Sequence, residues 1–125
     1  MAWVKPTEEI TALHEELVRP FVCDKRKMFG FQVFFVNDNM FTGVFEDGIM
    51  IRMSPEDKKA AIGGREGVAP FTPMGREMKE YIFIPGKMLD EPAFLDEVRG
   101  WVAKSYEFVS AMPPKVKKAK KQAEK

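Results

Sequence analysis

Near the N-terminus, hydrophobic positions recur with the period of an α-helix. The stripe follows the spacing i, i+3, i+4, i+7, i+8 and consists of Ile10, Leu13, His14, Leu17 and Val18. Thr7 precedes the stripe as a capping residue, after Pro6, and the next two residues are glutamates, which the positive end of a helix favours. Because Pro20 cannot continue a helix, the pattern predicts an amphipathic helix that ends before this residue.

Between Met28 and Met53 the pattern changes to short apolar runs separated by turn residues. The runs are FQVFFV, MFTGVF and IMIRM, joined by NDN and EDG. Asn, Asp and Gly adopt the backbone conformations that tight hairpins require, so the sequence predicts a three-stranded antiparallel meander. In the third run Ile49, Ile51 and Met53 point to one side while the residues between them point to the other, which predicts one clearly apolar face.

The second half of the chain predicts a short helix, two strands and a longer helix. Ser54 and Pro55 are typical of a helix start, and a Gly-Gly pair at 63–64 is typical of its end. Residues 70–73 predict a brief edge strand because a proline stands at both ends, and 78–85 predict an inner strand. The last helix begins at 90–92 and is marked by Phe94, Leu95, Val98, Trp101, Val102, Tyr106 and Val109.

The resulting order is α-β-β-β-α-β-β-α, an α+β fold in which helices cover an antiparallel sheet. A chain of 125 residues with 45% hydrophobic residues can bury one core, and eleven Phe and nine Met predict that this core is rich in aromatic rings and thioethers. Cys23 is the single cysteine, which excludes an intramolecular disulfide and predicts a small, buried or half-buried apolar residue.

The charge of the chain is divided unevenly. The last thirteen residues, PPKVKKAKKQAEK, carry six lysines against Glu124, a net charge of +5, and this leaves 14 basic and 18 acidic residues, a net charge of −4, in 1–112. The tail contains too little apolar surface to offset the entropy lost on ordering. We therefore predict one domain over 1–112 and a disordered lysine-rich tail over 113–125.

The N-terminal sequence MAWVKPTEE has no apolar run before its first charges, so it does not predict a signal peptide. No stretch reaches the roughly 20 apolar residues of a membrane-spanning helix. The sequence predicts a cytoplasmic protein that does not associate with a membrane.

The sequence contains no known catalytic or metal-binding pattern. His14 has no second His or Cys at ligand spacing, and its place in the apolar stripe predicts a half-buried residue of the core or its boundary. The glycine-rich GGREG at 63–67 lacks the Lys-Ser/Thr of a phosphate-binding loop and follows a helix rather than opening one. We therefore predict no enzymatic activity, no cofactor and no metal.

The segment KMFGFQVF at 27–34 matches five of the seven specified positions of the octapeptide by which RNA-recognition domains stack bases. Those domains follow the order βαββαβ and place the octapeptide on the third strand, whereas here it opens the first strand of the predicted order. Met28 and Gln32 also stand where the octapeptide has Gly and Val. We interpret this segment as a core strand rather than a base-stacking strand.

The same region resembles the TfoX/Sxy-like N-terminal domain family. Arg26 to Gly30, RKMFG, is similar to the family's KKMFGG, and Phe31 stands where the family has a second Gly. The similarity continues through MFTGVFEDGIMIRM and PFTPMGREMKEYIFIP, which contains the Gly-Arg-x-Met-x-x-Tyr/Phe pattern of the family. It ends in an acidic-started helix with a Trp-Val pair and a closing PPK, and covers roughly residues 15–115.

This resemblance implies an α+β fold of the secretion-chaperone-like kind, with the order α-β(3)-α-β(2)-α that the hydrophobic pattern also predicts. It implies a regulatory role related to transcription. The competence regulators of the family carry a second, C-terminal helical domain. Here a lysine-rich tail follows the N-terminal domain instead, so we expect this chain to act as a stand-alone N-terminal domain.

The main functional hypothesis is a small non-enzymatic regulatory or adaptor domain that binds an unidentified protein partner through its sheet. A homodimer through strand edges or a Met/Phe patch is a further form of this hypothesis. The expected interaction surface consists of Arg26, Lys27, Met28, Phe29, Gly30, Arg52 and Arg76.

The alternative hypothesis is a nucleic-acid-associated factor. In that case the basic residues of the expected surface form a basic spot on the sheet, which contacts phosphates together with the tail, because phosphate binding needs positive charge near the reading surface. The tail contacts would be Lys115, Lys117, Lys118, Lys120 and Lys121.

Overall fold

The computed structural model describes residues 7–28, 30–72 and 75–113, in which helices pack on an antiparallel sheet, the α+β class that the sequence predicts. The elements of this part of the chain are α1 (Glu8–Val18), β1 (Asp24–Met28), β2 (Phe31–Val36), β3 (Asn39–Phe45), β4 (Gly48–Arg52), α2 (Pro55–Gly64), β5 (Ala69–Pro70), β6 (Tyr81–Pro85), a 3-10 helix (Gly86–Asp90) and α3 (Pro92–Ser110). The predicted tail falls almost entirely on 114–125, which lie outside the described residues.

The strands form one antiparallel sheet with the order β1-β2-β3-β4-β6-β5. The first four strands follow one another as a meander, and β6 then pairs with β4 on the inside of β5. Strand β5 has only two residues, Ala69–Pro70, and is a brief edge strand as expected, but it lies earlier than the predicted range 70–73 and shares only Pro70 with it. Strand β1 forms the opposite edge.

The main core lies between one face of the sheet and the three helices. Its largest fully buried side chains on the strands include Phe41, Ile49, Ile51, Ile82 and Ile84. The helices contribute, among others, Ile10, Leu17, Ala61, Phe94, Val98 and Val102. The face predicted from Ile49, Ile51 and Met53 is therefore the face that the helices cover.

The helix starts and hairpin turns use the residues that the sequence indicated. The Thr7 hydroxyl accepts a hydrogen bond from the Ile10 amide at 3.1 Å, and the Ser54 hydroxyl accepts one from the Asp57 amide at 3.2 Å. Asn37 and Asp38, between β2 and β3, have φ of 53° and 63°. Both values are left-handed, as a two-residue hairpin turn requires.

The sheet has one strand more than the sequence predicted, because residues 24–28 form β1. The segment 27–34 is consequently not the start of a single strand: Lys27 and Met28 end β1, Gly30 turns the chain at φ 84°, and β2 begins at Phe31. Strand β1 was missed because its sequence, DKRKM, has no apolar alternation, and four of its five residues are exposed.

A β-bulge in β3 decides which side chains face the helices. The register between β2 and β3 pairs Phe34 with Thr42 but Phe35 with Met40, so Phe41 is the extra residue. Phe41 and Thr42 are both fully buried, and both contact residues on the helix-covered side. Because the extra residue shifts the alternation, Met40 and Phe45 lie on the same face although they are five positions apart.

Candidate interaction surface

The sheet face opposite the helices, called the open face here, carries a second hydrophobic cluster. It consists of Val33, Phe35, Met40, Phe45, Met50, Phe71, Met78, Tyr81 and Phe83. Seven of these residues come from strands, at the positions that alternate with the main core, and Phe71 and Met78 come from the segment that links β5 to β6. None of them belongs to a helix.

The aromatic rings of the open face form a connected group around Phe45. Its ring centroid lies 5.1 Å from that of Phe31, 5.1 Å from Phe71 and 6.3 Å from Phe83, and the last two contacts are edge-to-face. Phe71 and Phe83 stack at 6.2 Å with their planes 20° apart. These are the distances at which aromatic pairs attract each other beyond simple burial.

Five members of this cluster are only half-buried: Phe35, Met40, Phe45, Met78 and Phe83. A shallow cleft of about 250 Å³ opens beside three of the rings, between Phe45, Phe71 and Phe83, and is bordered by Ala69 and Pro70. The open face therefore presents aromatic rings and a thioether-rich surface to the outside of the molecule.

Gly43 allows the centre of this face to be closely packed. It pairs with Val33 on β2 and with Met50 on β4. A Cβ at this position would lie 2.7 Å from Val33 Cγ1 and 2.8 Å from Met50 Cε. The side chains of Val33 and Met50 thus fill the space that a side chain at position 43 would occupy.

Two arginines expected from the sequence lie on the open face, and each is paired. The Arg26 guanidinium lies 4.3 Å from the Phe35 ring centroid and 3.0 Å from the Asp38 carboxylate. Arg52 forms an ion pair with Glu80 at 2.7 Å and lies 5.7 Å from the Tyr81 ring centroid. They stand on β1 and β4, three strands apart, which corresponds to about 14 Å, so they do not form one basic spot.

The other expected surface residues are dispersed. Lys27 is exposed on β1, Met28 is 39% exposed at the end of that strand, and Gly30 lies in the turn that follows. Arg76 is exposed in the segment between β5 and β6. Phe29 and the tail lysines Lys115, Lys117, Lys118, Lys120 and Lys121 lie outside the described residues.

Lys58 of α2 holds the segment that delivers Met78 to the open face. Its side chain is 10% exposed, and Nζ lies 2.6 Å from the Glu77 carboxylate and 2.6 Å from the Lys79 carbonyl oxygen. A nearly buried ammonium requires such partners, since an unpaired buried charge costs several kcal/mol. One lysine therefore ties the helix to the edge of the open face.

The single histidine, His14, belongs to a buried chain of hydrogen-bonded polar side chains. The Gln32 side-chain amide donates to His14 Nδ1 at 3.2 Å, so the remaining proton of a neutral imidazole resides on Nε2, which donates to the Thr42 hydroxyl at 3.0 Å. Thr42 in turn donates to the Met50 carbonyl at 2.7 Å. Burial lowers the pKa of His14 from 6.5 to about 3, and the ring is fully inaccessible, so this histidine is structural.

Tyr81 supplies a hydrogen-bond donor from the open face to a backbone carbonyl at the bulge. Its hydroxyl donates to the Met40 carbonyl at 3.0 Å, across the intervening strand β4. Burial is the largest cause that raises the pKa of this phenol, which keeps the proton on the donor. The ring therefore serves packing and hydrogen bonding at once.

The described ranges contain no group of three or more His, Cys, Asp or Glu side chains that could hold a metal ion. Within those same ranges, no helix has both the length and the apolar composition needed to cross a membrane.

The sequence predicts the turns of the meander and places Arg26 and Arg52 in the expected surface. It does not identify the aromatic rings that dominate the open face, above all Phe45, Phe71 and Phe83. A signal was present, because Phe35, Phe45 and Phe83 each alternate with residues of the main core. The sequence analysis predicts one apolar face, from the third run alone, whereas β2 and β6 contribute apolar side chains to both clusters.

Comparison with known proteins identifies one family. The family model for the TfoX N-terminal domain matches residues 19–109, well over half of the chain. No curated protein and no solved structure matches the chain. The matched range begins just before β1 and includes every strand of the sheet and nearly all of α3. The chain therefore belongs to the TfoX N-terminal domain family.

Proposed function

We propose that this protein is a small, non-enzymatic regulatory or adaptor domain that binds a protein partner through the open face. The observation that carries the proposal is the cluster of half-buried Phe and Met side chains on the sheet face to which no helix contributes. Aromatic residues, Met and Arg are the residue types enriched at protein interfaces, and Met-rich surfaces adapt readily to partners. A role in transcription and a cytoplasmic location belong to this proposal on the sequence argument.

The arrangement of the two arginines supports a protein partner. Arg26 and Arg52 lie beside Phe35 and Tyr81, which gives the open face an aromatic centre with paired charges around it. Such an arrangement resembles an interface with an apolar core and a polar rim. Because Arg26 and Arg52 lie three strands apart, they do not present continuous positive charge to a phosphate backbone, and we do not favour nucleic acid as the ligand of this face.

The non-enzymatic part of the proposal rests on the placement of titratable groups. His14 is sealed inside the domain, and the cleft beside Phe45 is lined by apolar groups together with Glu46 and Thr72. A general acid or base must reach its substrate within hydrogen-bond distance. The open face supplies contact area rather than a pair of such groups.

The experiment that tests the proposal is affinity capture from host lysate with the full-length chain and with two open-face variants, Met40→Lys and Phe83→Lys. Both side chains are half-buried, so a lysine ammonium at either position can extend to solvent while it disrupts an apolar contact. We expect the native chain to capture a protein that survives nuclease treatment and that both variants lose by about tenfold or more, the range of a truncated interface anchor.

The matched control is Val22→Lys. Val22 is 87% exposed and lies between α1 and β1, outside the open face. The Val22→Lys variant gains the same positive charge at a position outside the open face, so capture should stay at the native level. Far-ultraviolet circular dichroism and thermal unfolding verify that all variants are folded.

The proposal is wrong if the two open-face variants capture as much as the native chain. It is also wrong if every captured protein disappears on nuclease treatment, which would indicate nucleic acid as the ligand. A captured second copy of this chain, detected as a dimer by size-exclusion chromatography with light scattering and lost in both variants, would place a homodimer on the open face.

A further inference from the structure

Strand β1 is an edge of the sheet that the described residues form. Among these residues it pairs with β2 alone, over all five residues from Asp24 to Met28, and four of the five are exposed. An edge strand presents unpaired backbone N–H and C=O groups on its outer side, and these groups are a template for a further strand.

The opposite edge is less suited to strand addition. Strand β5 has two residues and ends at Pro70, which has no backbone N–H to donate. Among the described strands, β1 is thus the edge that is long enough to accept an extended segment.

The side chains of β1 give this edge a defined charge pattern. Lys25 pairs in register with Phe34 and Lys27 with Gln32, and both partners face the helix-covered side, so the two lysines share that side. Lys25 is ion-paired with Glu15 of α1. No carboxylate of the described chain lies within ion-pair distance of Lys27.

A second copy of this chain does not fit the edge. In an antiparallel pair of two β1 strands that uses all five residues, Lys25 stands opposite Lys27 twice and Arg26 stands opposite Arg26. Like charges directly opposite each other destabilise a strand pair. The lysine-rich tail of the chain carries the same sign of charge and is disfavoured as an occupant for the same reason.

We infer that the β1 edge binds an extended acidic segment of another protein, with carboxylates at alternate positions opposite Lys25 and Lys27. Cross-strand pairs of opposite charge stabilise neighbouring strands, and the backbone of the segment supplies the hydrogen bonds. The residues between the carboxylates lie on the open-face side, beside Met28 and Arg26, where apolar side chains extend the surface of Phe35. The inference rests on the proposed function, since it names the chemistry of the partner.

Three end-capped peptides test the inference with the full-length protein: VEVEVEVE, its rearrangement VVVVEEEE and its charge-reversed form VKVKVKVK. The first has glutamates on one side of an extended strand, the second has the same charge without alternation, and the third has the opposite charge. Binding is followed by amide chemical shifts in NMR titrations. We expect VEVEVEVE to bind about tenfold more tightly than either control, the effect of two cross-strand charge pairs, with shifts concentrated at residues 24–28.

Two charge-reversal variants locate the site. Lys27→Glu should weaken binding of VEVEVEVE about fivefold or more and reverse the preference toward VKVKVKVK. Lys59→Glu is the matched control, because Lys59 is exposed on α2 and away from β1, and it should bind like the native chain. Hydrogen exchange of the β1 amides should slow when VEVEVEVE is bound.

Equal binding of VVVVEEEE would overturn the inference, because charge alone would then account for it. So would the absence of binding by VEVEVEVE, or shifts centred on residues other than 24–28. The inference and the proposed function can fail separately. If Lys27→Glu captures the same lysate protein as the native chain while Phe83→Lys does not, the open face binds the partner and the edge inference is wrong.

Discussion

His14 occupies a position where only the neutral imidazole is compatible with its neighbours. Gln32 presents an N–H to Nδ1, and Thr42 accepts from Nε2, so a second ring proton would face a donor inside the core. Burial opposes the charged form as well and lowers the pKa to about 3, whereas the unfolded chain has the ordinary value of 6.5. The unfolded state therefore binds more protons between these two pH values.

The first prediction concerns the pH dependence of stability. Because the unfolded state binds the proton and the folded state does not, the contribution of His14 to stability is full above about pH 6.5 and falls as the pH drops toward 3. Between pH 7 and pH 5 this amounts to a loss of about 2 kcal/mol in the free energy of unfolding. Urea titrations of the native protein at the two pH values measure it.

The control for this prediction is His14→Gln, which removes the titrating group. Surface carboxylates contribute equally to both proteins, so the difference between their pH slopes isolates the histidine. An identical slope in the two proteins would contradict the assignment of a buried neutral ring.

The second prediction concerns Gly43 at the centre of the open face. Gly43→Ala should destabilise the fold by about 1–3 kcal/mol, because the new Cβ meets Val33 and Met50 at less than 3 Å. Gly63→Ala is the matched control, since a Cβ at this helical glycine meets no atom within 4 Å, and it should not destabilise. Thermal unfolding compares the two, and equal loss in both would contradict the close packing of the open face.

The bulge in β3 determines which side chains of this strand face the helices and which lie on the open face. It leaves the carbonyls of Met40 and Phe41 to side-chain donors, Tyr81 from the open face and Ser105 from α3 at 3.1 Å. One hydrogen bond on each side thus stabilises the irregular segment. The bulge also turns Phe41 into the main core, where it is fully buried, while Met40 remains on the open face.

The third prediction tests the helix-side support of the bulge. Ser105→Ala should cost about 1–3 kcal/mol, because it leaves the Phe41 carbonyl without its buried donor. Ser110→Ala is the matched control: Ser110 lies on the same helix, and its hydroxyl makes only an exposed hydrogen bond to the Glu107 carbonyl. Urea unfolding of the two variants gives the difference, and a loss below that of Ser110→Ala would contradict this support.

The fourth prediction concerns the connection between α2 and the open face. Lys58→Met should release the segment around Met78, because the ammonium no longer holds the Glu77 carboxylate and the Lys79 carbonyl. We expect amide hydrogen exchange to accelerate at 77–80 by about tenfold or more, the effect of losing a charge-assisted hydrogen bond. Lys59→Met, one residue along and exposed, should leave exchange unchanged. Faster exchange throughout the sheet would indicate global destabilisation instead.

The elements that sequence alone predicted are those whose signals are local. The caps Thr7 and Ser54 and the turn at Asn37 and Asp38 act through neighbouring residues, so each could be recognised from a few positions. Strand β1 could not, because an exposed edge strand has no apolar face and is defined by its pairing with β2. The common face of the open-face cluster depends on the bulge, which strict alternation does not predict.

The interaction surface expected from the sequence remains a prediction, and the structure gives only the positions of its residues. The segments that resemble the family contain Arg26 and Arg52, and both residues lie on the open face. Their separation by three strands depends on the sheet order, which sequence spacing does not contain. The contribution of Phe71 depends on the path of the segment between β5 and β6, which brings this ring next to Phe83.

At the scale of the whole molecule, one sheet separates two hydrophobic clusters that differ in exposure. The cluster under the helices is closed and includes the fully buried Phe41, whereas the open-face cluster includes the half-buried Phe83. Burial of apolar surface is the dominant stabilising contribution, so the closed cluster supplies most of the folding free energy. The open face keeps apolar area that no helix of the described chain covers, and the proposed function assigns this area to partner binding.

The fifth prediction follows from that separation. Phe41→Ala should destabilise the domain by about 3–5 kcal/mol, the cost of a cavity in a closed core, while Phe83→Ala should cost clearly less because its ring is already partly in contact with solvent. In capture experiments below the unfolding transition the order should reverse: Phe83→Ala loses the protein partner, and Phe41→Ala retains it in proportion to its folded fraction. Calorimetry and capture on the same samples measure both orders. If the two variants lost stability and binding in parallel, the two faces of the sheet would not have separate roles, because binding would then depend only on how much of the domain is folded.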